Sequence, residues 1–320
     1  MRSREASVAL AIALLAGVLA LVAPGFFSRG NLADLFLGNV PVLIAAFGAT
    51  LVILAGEIDI SVGSVFAVCS IVAGLAAQAG LPLAVAGLAA VTAGAALAAV
   101  NGALVAYAGL PSIVVTLATM VALRDGLRWG MEGAWVENLP SGFQWLGLGQ
   151  AGYPLVAFAI AAAAFAVLAW TLRHVAAGRA VYATGSDVDA ARLAGFNTSL
   201  VKFSAFAAAG ALTGLAALLN AVRFNQIPSN AGIGLEMKVI AAVVVGGAAI
   251  RGGSGTVTGT LLGVVLLAAI GPALVFLGIN PYWERAVQGA IILAAVGIDA
   301  VRAGRAAGHV TGVAIARPGS

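Results

Sequence analysis

Apolar runs of about twenty residues, separated by short polar breaks, fill this 320-residue chain. A helix crossing the hydrocarbon core of a bilayer needs about 20 apolar residues. On that measure ten spans are predicted, at approximately 7–23, 37–56, 60–79, 82–108, 112–130, 152–172, 202–221, 235–250, 256–278 and 284–301. The fourth is long enough to tilt or break. The eighth is short, which suits a re-entrant start. Arg2 and Arg4 ahead of the run from Val8 to Ala23 imitate a secretory leader. No small-x-small cleavage site is evident and Pro24 follows at once, so the run reads as an uncleaved first span. No period of 20–50 residues repeats, which excludes a solenoid. The predicted fold class is all-α: one polytopic membrane bundle over residues 1–320, with both termini on one side.

Loop cations orient the bundle. Ten of the sixteen Lys and Arg residues fall on the side of the termini: Arg2, Arg4, Arg173, Arg179, Arg192, Lys202, Arg251, Arg302, Arg305 and Arg317. The others, Arg29, Arg124, Arg128, Arg223, Lys238 and Arg285, are scattered near span ends. Both termini and the long loop 173–201 are therefore expected in the cytoplasm, and loop 131–151 outside. Composition agrees with a membrane class: 62% of residues are hydrophobic and 9% charged, against about 25% charged in soluble chains. The net charge of +4 is then a topology signal and not a nucleic-acid footprint. One cysteine, Cys69, excludes a disulfide framework, and His174 and His309 lie too far apart to suggest a metal site. Gly210 and Gly214, and Gly255, Gly259 and Gly263, recur every four residues. Such glycines serve close helix packing within the chain, subunit contact being the sharper alternative.

Catalytic patterns are missing. There is no H-E-x-x-H, no G-x-S-x-G and no G-x-x-x-x-G-K-[ST], so no cofactor is expected and ATP would have to be bound elsewhere. "RGGSGTVTG" at 251–259 lacks the strand and lysine of a phosphate loop and reads as a tight turn. Within loop 173–201, "SDVDAARLAG" is a complete short helix. Ser186 is the expected N-cap and Asp189 closes a capping box. Asp187 and Asp189 favour the first turn. Ala190, Ala191, Arg192 and Leu193 carry the helix forward, and Gly195 stops it. So short a helix needs a surface to pack on, either its own membrane domain or a partner.

The stretch "RAVYATGSDVDAARLAGFN" resembles the coupling loop of the permeases of sugar-type ABC importers, the ribose, xylose, rhamnose and autoinducer branch. "EIDISVGS" is similar to that family's "GIDLSVGS". "PSIVVTLATM", "GLEMKVIAAVVVGGAAIRGGSGTVTGTLLG" and "YWERAVQGAIILAAV" follow in the family's order, so the likeness runs from about residue 30 to 301. "WVENLPSGFQW" and "GLEMK" bring it nearest the rhamnose and furanosyl-autoinducer permeases. The resemblance implies a channel subunit that pairs with itself or a sibling. A cytoplasmic ABC ATPase would dock on Ser186–Gly195, and a periplasmic sugar-binding protein would deliver a sugar or sugar-like signal.

Glu57 and Asp59 interrupt "LVILAGEIDISVGSVFAV" with charge, and intramembrane charge tends to mark function. Three readings stand: Asp59 caps the third span while Glu57 meets water or an arginine; Asp59, Ser61, Gly63 and Ser64 form a gate beside the ATPase; or the acids form the proton or cation site of a secondary carrier. The family more often has glycine at Glu57, which makes Asp59 the better gate candidate. Asn101, Thr116, Thr119 and Asn220 are pore candidates for sugar hydroxyls. Trp135, Phe143 and Trp145 read as an interfacial aromatic belt, or as a landing surface for the binding protein. The function expected is an importer's permease. The alternative is an ion-coupled sugar carrier acting alone, and an intramembrane enzyme is disfavoured.

Overall fold

The computed structural model describes residues 2–294 and 297. Its helices are α1 (Arg2–Val22), α2 (Arg29–Leu54), α3 (Val62–Gln78), α4 (Leu83–Ala106), α5 (Ser112–Gly130), α6 (Gly149–His174), α7 (Ala176–Ser186), α8 (Val188–Leu193), α9 (Thr198–Ala221), α10 (Leu235–Val245) and α11 (Val257–Phe276). A further helical stretch covers 283–294. Among the described residues no strand forms. A lone antiparallel bridge, Val136 to Ile227, ties the α5–α6 connection to the α9–α10 connection. The remainder of the predicted tenth span lies outside the described residues, as do Arg302, Arg305, His309 and Arg317.

Among the described residues six helices, α1, α2, α4, α6, α9 and α11, are long and apolar enough to cross a membrane. The others expected to span are shorter or more polar: α3 has 17 residues, α10 has 11, and α5 carries Arg124, Asp125 and Arg128. Loop 173–201 is not a loop but mostly α7 and α8.

The bundle is built around α2. Of its apolar window 78% is buried, against 11% for α1 and 17% for α6. Its second half, "VLIAAFGATLVIL", has no polar face to turn to solvent, so it suits a position enclosed by helices. Small residues bring the neighbours close. A methyl group on Gly94 of α4 would collide with the Gly210 carbonyl of α9, and one on Gly214 with the Ala90 carbonyl. Gly259 and Gly263 of α11 likewise abut the Gly246 and Ala242 carbonyls beside α10. These glycines therefore serve packing within the chain, where lipid offers no hydrophobic force to draw helices together.

α3 and α10 are short because their N-termini meet inside the bundle. Gly63, at the start of α3, lies against the Gly232 carbonyl and the Glu236 carboxylate at the start of α10. Ser64 Oγ donates to the Met120 carbonyl of α5 at 2.8 Å. Met120 is eight residues into α5, so α3 begins about 12 Å above the α5 N-terminus.

Candidate functional site

Two groups of residues cluster at the end of α2 marked by Leu54. The first is a buried polar knot. Between α2 and α3, Ile58 and Ile60 donate their amides to Ser112 Oγ and Thr116 Oγ1 of α5, each at 3.2 Å. Asp59 Oδ1 accepts from Ser61 N at 2.8 Å and Ser61 Oγ at 2.6 Å. Ser61 Oγ accepts from Asn101 Nδ2 at 3.0 Å, and Thr119 Oγ1 donates to Asn101 Oδ1 at 2.6 Å. Asp59, Ser61, Asn101 and Thr116 are all buried. Asp59 Oδ1, Ser61 Oγ and Asn101 are joined in one chain of hydrogen bonds, and Thr116 Oγ1 bonds the backbone beside them, as burial demands.

The geometry corrects several expectations. Asp59 is not the cap of α3 and does not sit at water; it is 5% exposed and holds Ser61, the N-cap residue, whose own side chain bonds no helix amide. Ser64, from the gate candidates, reaches the Met120 carbonyl of α5. Asn101, Thr116 and Thr119 join the Asp59 group, with hydrogen bonds directed to protein atoms. Asn220 does not join it; it lies one residue before the end of α9, at the opposite end of the bundle. Glu57 pairs with a lysine and not an arginine: Lys202 Nζ of α9 is 2.5 Å from Glu57 Oε1, the side chains 20% and 12% exposed.

Gly63 makes the junction of α3 and α10 possible, since any side chain there would strike Gly232 and Glu236. Glu236 Oε1 pairs with Arg124 Nη2 at 3.2 Å, while Oε2 is buried without a hydrogen-bond partner. Sequence reasoning missed this pair, counting Arg124 as a loop cation. Its signal was a charge within a predicted span.

The second group is α7 and α8. Gly185 packs against the Leu54 carbonyl, and Gly253 N donates to that same carbonyl at 3.0 Å. Tyr182 Oη donates to the Gly255 carbonyl at 2.9 Å. Burial pushes the Tyr182 hydroxyl above its ordinary pKa, against the pull of Arg173, so it remains a donor. The 251–255 segment is thus a turn, with Gly252 and Gly253 at positive φ. Asp187, not Ser186, caps α8: its Oδ1 accepts from Asp189 N at 2.9 Å and Ala190 N at 3.0 Å. Ser186 ends α7 and is fixed against Gly253. Because Asp187 has the extended backbone of a cap, Asp189 is released from the expected capping box and pairs with Arg192 at 3.3 Å. Gly195, at φ +86°, closes the helix, with Phe196 N bonded to the Ala191 carbonyl. Ala191 is buried and packs inward, whereas Leu193 is 92% exposed.

The expected aromatic belt is divided. Trp135 is exposed, but Phe143 is buried, and Trp145 packs edge-on against Tyr153 at 5.4 Å.

An apolar bundle thus surrounds a central helix, with a polar knot at one crossing and a capped helix projecting at that end. The chain belongs to the family described as "branched-chain amino acid transport system / permease component", which matches residues 31–296. Its relatives include the autoinducer 2 import system permease protein LsrC of Photorhabdus laumondii, 34% identical over 93% of this chain and 89% of the relative. The LsrC protein of Salmonella typhi is 36% identical over 93% and 86%, and that of Yersinia pseudotuberculosis 34% over 93% and 85%. No solved structure matches. The chain is a cell-membrane permease of the sugar-type ABC importers, and ATP hydrolysis belongs to a separate subunit.

Proposed function

We propose that this permease admits a furanosyl, sugar-like signal of the autoinducer-2 type, or a related monosaccharide, across the bacterial inner membrane by alternating access. The observation that carries the mechanism is the mounting of α8, with Leu193 92% exposed at its tip and Gly185, just ahead of its cap, packed against the Leu54 carbonyl at the end of α2. A cytoplasmic ATPase pair grips Ser186–Gly195, with Leu193 as the contact, and nucleotide-driven closure rocks α2 and its neighbours as rigid bodies. A second permease, identical or a sibling, completes the path, and a periplasmic sugar-binding protein delivers the solute. The substrate in the relatives' names supports a sugar-like cargo over the branched-chain amino acids of the family's broad description.

The bundle has ten spans with both termini cytoplasmic in this reading. α3 and α10 count as spans that are completed by non-helical backbone at their N-termini, a form tolerated where it is enclosed by protein. The Asp59 group is the hinge of the inner gate, close to the ATPase contact.

Reconstitution with the co-expressed ATPase and binding protein tests the reading. ATP-dependent uptake of autoinducer-2 is expected, while the chain alone under a sodium or proton gradient takes up nothing. Leu193→Glu is expected to abolish uptake with the thermal midpoint unchanged. Full uptake by that variant, or gradient-driven uptake by the chain alone, overturns the proposal. Ala191 is unsuited to the same test, because a charge there would disturb the inward packing.

A further inference from the structure

Between α2, α10, α11 and the stretch 283–294 lies a cleft of about 330 Å³, a volume in the range of small-molecule sites. Its wall carries Asp34, Asn39, Lys238, Glu284 and Gln288. Lys238 Nζ stands 3.4 Å from Glu284 Oε1, and Gln288 Nε2 donates to the same oxygen at 2.9 Å. These groups are not sealed in the interior: Asp34 and Lys238 are exposed, and the Glu284 side chain is 29% exposed. On the other flank of α2 a second groove, between α6 and α11, shares Asn39 but is otherwise lined by apolar side chains such as Phe36, Phe158 and Phe165. The two grooves share Leu35, Asn39, Val264 and Ala268 and differ in the polarity of the rest of their lining. Acyl chains can cover the second groove, but not a wall of charges and amides.

Asn39 lies ten residues beyond Arg29, about 15 Å along the axis, so the polar wall reaches well below the bundle's end. Towards α8 the lining turns apolar, at Val42, Ala242 and Val264. The cleft is therefore open at the end opposite α8 and stops partway through.

We propose that this cleft is the outer, water-filled wall of the transport path, and that its polar side chains contact a neutral polyhydroxylated solute. The inference rests on the import function proposed above and names the contacts of its cargo. Carboxylates accept, the ammonium donates and the amides do both. Hydroxyl groups, each donor and acceptor, can bond to such a mixed set, whereas a hydrocarbon side chain offers it no partner. The second permease closes the open side.

The native chain has a single cysteine, and it is buried, so introduced thiols can be read singly. Asn39→Cys and Gln288→Cys are made in the full importer, with Phe158→Cys as control. Phe158 sits nine residues into α6, about 14 Å deep, close to the depth of Asn39. A charged, membrane-impermeant methanethiosulfonate reagent is added from outside. Asn39→Cys and Gln288→Cys are expected to react at least about tenfold faster than Phe158→Cys, since only an aqueous wall admits the reagent. Autoinducer-2 with the binding protein is expected to slow that reaction. Equal slow rates at all three sites overturn the aqueous wall. Fast labelling with no protection, in an importer that does take up autoinducer-2, overturns the solute contact. If the importer takes up no autoinducer-2, the cargo assignment falls, and the ratio of labelling rates alone decides whether this flank is the water-filled wall.

Discussion

Asn101 shows how much one side chain can hold. It gives a proton to Ser61 Oγ and takes one from Thr119 Oγ1, so it links α4, the start of α3 and α5. Asn101→Ala strands partners in a buried place, where an unmade hydrogen bond costs about 1–3 kcal/mol. Thermal unfolding in detergent is expected to show a lowered midpoint. Gly63 makes the opposite demand. Gly63→Ala puts a methyl group against the Gly232 carbonyl and Glu236, and overpacking of this kind costs about 1–3 kcal/mol. A midpoint equal to wild type would show that the α3–α10 junction is looser than described. Membership of the Asp59 group was legible in part. Asn101, Thr116 and Thr119 stood out as polar residues in apolar helices. Their convergence on Asp59 did not, because hydrophobic periodicity gives a residue's place along the chain and no partner across the bundle. Arg124 and Glu236 escaped for the same reason.

At the level of elements, the long apolar helices were readable because length and hydropathy suffice to define them. α3 and α10 were harder, since their N-termini stop at each other inside the bundle and the flanking residues stay apolar enough to look helical. α8 was predicted with the right end and the wrong start. Ser186 and Asp187 are both good capping residues, and the choice went to Asp187 because α7 runs on through Ser186 to pack against Gly253. Asp187→Ala is expected to cost about 1 kcal/mol of local stability and to slow ATP-driven uptake, while Asp187→Ser retains both. Hydrogen exchange of the Asp189 and Ala190 amides measures the fraying directly; unchanged protection in Asp187→Ala would remove the cap from the account.

For the molecule as a whole, the Glu57–Lys202 pair joins the α2–α3 connection to the foot of α9. Both side chains are largely buried, and removing one partner of such a pair strands the other charge at a cost of about 3 kcal/mol or more. Lys202→Met alone is expected to lower the unfolding midpoint sharply, and adding Glu57→Gln to recover much of the loss. Additive losses in the double variant would mean that the two side chains act independently. The join between α2 and the α10–α11 turn differs in kind. It is a main-chain bond, from the Gly253 amide to the Leu54 carbonyl. Exchanging the side chain at Leu54 leaves that acceptor in place, so the linkage is insulated from most point substitution there. Substitutions at Leu54 are then expected to retune the packing around it without loosening the hold of the turn.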